Sequence, residues 1–150
     1  MTDTRRIHSA SHYHRREVYE LLQSIFLAEL LTPSEQLWLV SPWISDFVVF
    51  DRTIDASASL IGDGTGSTIR LTDVLVTLAE SGSHIELVTK PNETASIKFC
   101  NALNHRSARS IARDRIAIIH APQLHTKGLL GNDYLLHGSM NFTFSGIQIK

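Results

Sequence analysis

The chain predicts an α/β fold, a mixed β-sheet flanked by helices in an α/β sandwich. Apolar residues recur at helical spacing in three separate stretches, short apolar runs closed by turn residues lie between and after them, and the two patterns alternate along the chain. With 150 residues, 43% hydrophobic and 19% charged side chains, the protein can bury one sizeable core. One domain over residues 11–150 is expected, behind a polar and flexible segment at residues 1–10.

Val18, Leu21, Leu22, Ile25 and Phe26 share one helical face until Thr32 and Pro33 intervene, which predicts the first helix. Gln36 to Ser41 is a short apolar run closed by Pro42, the pattern of a buried strand, and Pro42 to Asp46 is expected to be a functional loop. Asp51 to Ser67 is rich in Asp, Ser, Gly and Thr and reads as a mobile surface excursion. Its Gly62-Asp63-Gly64-Thr65-Gly66-Ser67 run lacks the lysine, the glycine spacing and the preceding strand that a phosphate-cradling loop requires.

Ile69, Leu71, Val74, Leu75 and Leu78 predict a second helix ending at Gly82, followed by a strand at His84 to Thr89. Asn92 to Ala112 reads as a third helix. Arg115 to Ala121, Leu124 to Leu130 and Tyr134 to Gly138 read as strands, the last two joined in a hairpin by Gly131-Asn132-Asp133. No internal repeat is visible.

A net charge of -1 and a pI near 6.7 give no global attraction to nucleic acid or anionic lipid, so any such affinity must come from a local patch. Cys100, the single cysteine, sits beside Phe99, Ala102 and Leu103 and reads as a core residue. No apolar run approaches the roughly 20 residues that cross a bilayer, and a cytoplasmic location is expected.

The stretch that carries chemistry runs from Leu124 to Phe144. On a strand, His125 and Lys127 at i and i+2 project from the same face, and the hairpin brings Ser139 and Asn141 back beside them. One ammonium and several neutral donors can stabilise the non-bridging oxygens of a phosphodiester in its transition state without a metal. An imidazole can attack phosphorus to form a phosphohistidine while a second imidazole protonates the leaving alkoxide.

His-x-Lys followed after a hairpin by Gly-Ser-x-Asn, with Phe-Thr after Asn141, resembles the signature of the phospholipase D superfamily. Ser41-Pro42-Trp43-Ile44 also looks like the start of the small, single-motif bacterial members, so the resemblance spans Leu37 to Gly146. It implies a mixed sheet flanked by helices and a homodimer that brings two motifs together across a two-fold axis. One His125 would then be the nucleophile and its symmetry mate the general acid, with Lys127, Ser139 and Asn141 clamping the phosphate. No metal or cofactor is implied. Small members of the family include nucleases with little sequence preference and components of bacterial DNA-modification or defence systems.

The family places an Asp where this chain has Asn132, with Asp133 one position later; both are expected to support the hairpin. Family members also carry a carboxylate beyond the motif's Asn, which would hold the histidine tautomer as in a catalytic triad. If the natural chain ends at Lys150, activity is expected to be weak or absent unless Asp46, Glu86 or another acid takes its place.

Several other residues carry open readings. His120 and His137 flank the hairpin, but no Cys and no well-spaced acid completes a metal ligand set with them. Arg106, Arg109 and Arg113 recur at three and four and would share one helical face, either a solvated surface or a phosphate-tracking one that binds nucleic acid. Arg5, Arg6, Arg15 and Arg16 are more evenly matched by nearby acids, and Trp43 either packs in the core or stacks on a base. The leading expectation is a metal-independent phosphodiesterase, a DNA nuclease or DNA-processing enzyme. A catalytically weak or silent nucleic-acid-binding or scaffold member is the alternative, and phospholipid hydrolysis a third.

Overall fold

The computed structural model describes residues 3–6, 12–53, 61 and 66–143. Part of the 1–10 segment, most of the Asp51 to Ser67 excursion including Gly62 to Thr65, and the resemblance beyond Thr143 lie outside the described residues.

Helix α1 (His12–Leu31) ends where Pro33 removes a backbone donor and restricts the residue before it. Strand β1 (Gln36–Val40) follows, then β2 (Val48–Asp51) and β3 (Thr68–Arg70), helix α2 (Leu71–Glu80), strand β4 (His84–Thr89) and helix α3 (Thr94–Ser107). A 3-10 turn (Ile111–Arg115) leads to β5 (Ile116–His120), and the chain closes with the hairpin β6 (Gly128–Leu130) and β7 (Leu135–His137).

The five-stranded sheet runs β5-β4-β1-β6-β7, and β2 pairs with β3 separately. β1, β4 and β5 are mutually parallel, whereas β6 runs antiparallel to β1 and β7 antiparallel to β6. The predicted mixed α/β sandwich is therefore the observed architecture.

Strand alternation divides the sheet into two unlike faces. Leu37, Leu39, Ile85, Leu87 and Leu129 point to one face and are buried with Leu22 and Phe26 of α1, Leu75 and Leu78 of α2, and Phe99 and Leu103 of α3. The opposite face carries one row of Ala117, Glu86, Trp38, Leu130 and Leu135 and a second of Ile119, Val88, Val40, Gly128 and His137. Ile119, Leu130 and Leu135 are 41%, 43% and 63% exposed there, although parallel strands usually have both faces covered.

Four local expectations change. Ile69 belongs to β3, because α2 starts only where the Arg70 N–H donates to Asp73 Oδ2 at 2.9 Å and Asp46 accepts from the Thr72 N–H and hydroxyl, each at 3.0 Å. The paired strands β2 and β3, which the sequence did not announce, flank the surface excursion, only Asp51 of which is in a strand. The third helix stops at Ser107 and the chain re-forms as a 3-10 turn capped by the Ser110 hydroxyl, which accepts from the Ala112 N–H at 3.1 Å. Arg106, Arg109 and Arg113 thus lie in the helix end, the turn after it and the 3-10 turn, and do not share a helical face. Finally, β6 begins at Gly128, since Pro122 cannot donate to a ladder and the Leu124 N–H closes a turn onto the Ala121 carbonyl at 3.1 Å.

Candidate active site

At the carboxyl edge of β1 and β4 the sheet's neighbours change direction, the kind of place where open α/β sheets hold ligands. Ser41 is fully buried there; its hydroxyl donates to the Trp43 carbonyl at 2.6 Å and accepts from the Phe142 N–H at 3.0 Å. The Ser45 N–H donates to the Phe142 carbonyl at 2.9 Å, and Ile44 and Phe142 form a parallel bridge. From below, the Thr89 hydroxyl donates to the Pro42 carbonyl at 3.1 Å and the Ser96 hydroxyl accepts from the Ile44 N–H at 3.1 Å. Residues 41–45 therefore act as an anchor that fixes the backbone on the far side of Asn141. Trp43 itself is 48% exposed.

The other half of the motif arrives along the hairpin. The Gly138 N–H donates to the Lys127 carbonyl at 3.3 Å, one step beyond the Gly128 to His137 pair, so Lys127 stands opposite Gly138. Lys127, Ser139 and Asn141 line one cleft of about 560 Å³ together with His137. Val18, Leu21 and Leu22 of α1 and residues 3–6 also line it.

His125 is exposed, lies in the coil before β6, and is not among the described lining residues. The Lys127 ammonium donates to the His125 carbonyl at 2.9 Å, a local contact that a phosphate oxygen can replace. Asn141 Oδ1 is buried without a hydrogen-bond partner among the described residues. An unmade bond of this kind costs about 1–3 kcal/mol. The two amide orientations occupy the same space, so turning the group over presents its N–H donors at that position instead.

The hairpin tip is tied to the end of α1. Glu29, 2% exposed, accepts from the Ser34 N–H at 2.8 Å, the Ser34 hydroxyl at 2.6 Å and the Tyr134 hydroxyl at 2.7 Å. Burial, and then the Glu29 carboxyl group, push the Tyr134 hydroxyl far above its usual range. The Asn132 N–H donates to the Ser34 hydroxyl at 2.9 Å, and Asn132 Oδ1 accepts from the Glu35 N–H at 3.3 Å. Asn132 is thus placed in a turn-docking contact, while Asp133 is exposed at the tip.

The remaining sequence candidates lie elsewhere. Arg106 pairs with Asp73, Arg109 and Arg113 are exposed, and none of the three is among the described residues lining the cleft. Asp46 is engaged by Thr72, and Glu86 faces the uncovered side of the sheet. Among the described residues, no group of three or more His, Cys, Asp and Glu is placed to hold a metal ion, and no helix is long and apolar enough to cross a membrane. A second cavity of about 530 Å³, bordered by Arg52, Arg70, Arg106 and Asp73, shares no lining residue with the cleft.

Sequence reasoning passed over Ser41 as an individual residue and weighed Arg5 and Arg6 without assigning them a role. Their only signal was indirect: Ser41 opens the noticed Ser-Pro-Trp-Ile run, and the arginines stand in a segment without periodicity.

No family model matches this chain, and no curated protein does. Among solved structures, a polyphosphate kinase from Porphyromonas gingivalis is similar over 80% of this chain, with a TM-score of 0.44 and 14% identity. The similarity spans only 14% of the kinase chain, a likeness too distant to bear on the chemistry.

Proposed function

We propose that the protein is a metal-independent phosphodiesterase acting on nucleic acid, with His125 as nucleophile. The observation that carries this reading is the convergence of Lys127, Ser139 and Asn141 on one cleft at the carboxyl edge of the parallel strands, with His125 two residues before Lys127 in the chain. An ammonium and two neutral donor groups suit the charge that builds on non-bridging phosphate oxygens.

In this reading a ring nitrogen of His125 attacks phosphorus, the P–O bond to the leaving group breaks, and the departing oxygen takes a proton from a second imidazole. Water then displaces the histidine, giving its proton to the imidazole that has just lost one. The second imidazole is the His125 of another copy, so the working unit is a homodimer. An apolar, weakly charged surface suits such an association, and this sheet face has that character, with His84, Glu86 and His137 its acidic or basic residues among the paired positions.

The test is cleavage of DNA in excess chelator. Cleavage that persists there and disappears in His125→Ala supports the proposal, and cleavage unchanged in that variant ends it. The exposed His125, outside the described cleft lining, favours one second reading, a member that binds nucleic acid without turning it over. Salt-sensitive DNA binding with no product would identify it.

A further inference from the structure

We infer that Arg5 and Arg6 form a phosphate-binding flank of the cleft, and that the substrate is consequently a polyanion, a strand of linked phosphodiesters. This deepens the phosphodiesterase reading and rests on it. Residues 3–6 line the same cleft as Lys127, Ser139 and Asn141. A single phosphodiester carries one negative charge, which Lys127 can balance while Ser139 and Asn141 supply donors.

The described lining adds two exposed guanidinium groups against one carboxylate, Asp3. That positive excess goes beyond what one diester needs and matches neighbouring phosphates along a strand. Guanidinium groups bind phosphate oxygens through paired N–H donors, so they hold a backbone without reading bases. Val18 and Leu21, which also line the cleft, offer apolar surface to sugars and bases. Arg109 and Arg113, by contrast, line no part of it among the described residues.

The experiment measures binding of a fluorescent single-stranded dodecathymidylate to the full chain by anisotropy across a salt series. Arg5→Gln/Arg6→Gln is compared with Arg15→Gln/Arg16→Gln, which removes the same charge from α1 outside the described cleft lining. Loss of two phosphate contacts lowers the slope of log K against log salt by about 1.4 for a single strand. The expected result is that decrease, with at least about tenfold weaker binding at low salt, in the Arg5/Arg6 variant alone.

An unchanged slope in that variant, an equal decrease in the control, or no salt-sensitive binding by the wild type overturns the inference. Wild-type hydrolysis of bis(4-nitrophenyl) phosphate in excess chelator is read separately. Its presence or absence reports on the phosphodiesterase reading and leaves the arginine result to stand or fall on the binding slopes.

Discussion

At the scale of single residues, the site depends on side chains that never meet a substrate. Ser41 joins the end of β1 to the backbone beside Asn141, so Ser41→Ala removes the acceptor for the Phe142 N–H and the donor to the Trp43 carbonyl. A buried N–H left unpaired costs about 1–3 kcal/mol, and that loss should be visible as a lower urea midpoint. In the proposed mechanism, kcat should fall with it, because Asn141 loses its anchor.

Tyr134 gives a pH signature. Its folded-state proton is held more tightly than in the unfolded chain, where a phenol ionises near about 10. The contribution is therefore complete below that pH and is lost as pH rises above it, since the unfolded state releases the proton first. Urea midpoints at pH 8 and 10.5 should drop more for the wild type than for Tyr134→Phe; an equal drop would show that this hydroxyl does not couple to folding.

At the scale of elements, the hairpin tip shows how tightly the motif strands are seated on α1. A Cβ on Gly131 would come within 2.6 Å of the Tyr134 ring and 2.7 Å of both Glu29 Oε1 and the Ser34 hydroxyl oxygen. Gly131→Ala should destabilise by about 1–3 kcal/mol, the usual cost of overpacking, measured by thermal or urea unfolding. Cys100 belongs to the same core through α3; burial raises its thiol pKa, so a disulfide reagent should label it only after unfolding.

The elements differ in how visible they were beforehand. α1, β1 and β4 were legible because Leu22, Phe26, Leu37, Leu39, Ile85 and Leu87 carry long, regular apolar periods. β2 and β3 were not, since strands of four and three residues are too short to show a period. The third helix was read too long because Ser107 to Ala112 holds no Gly or Pro to mark a stop, while the break comes from Ser110 capping the following turn. Of the candidate site, Lys127, Ser139 and Asn141 could be read as neighbours from strand and hairpin logic, since that pairing is local. Arg5 and Arg6 were noticed but given no role, because only tertiary packing brings a segment without periodicity to the cleft.

At the scale of the whole molecule, the unequal faces of the sheet bear on how two sites could meet. The described helices bury most of their apolar residues in one cluster, which leaves the rows through Trp38 and Val40 outside it. The second of these rows ends at Gly128 and His137, immediately beside Lys127. A copy docked on this face would therefore lie next to the motif edge, as the proposed two-histidine chemistry requires. Standard interfaces bury roughly 800 Å² per partner, with apolar side chains concentrated at the centre. Ile119→Lys/Leu130→Lys places two charges on exposed positions of that face, outside the described cleft lining, and touches no core residue, so the folded monomer should keep its far-ultraviolet dichroism. Sedimentation should show a dimer for the wild type and a monomer for the variant, with chelator-resistant cleavage lost in parallel. A monomeric wild type that still cleaves DNA would remove the second copy from the mechanism and require the proton donor to come from the same chain, where His137 is the one histidine among the described residues lining the cleft.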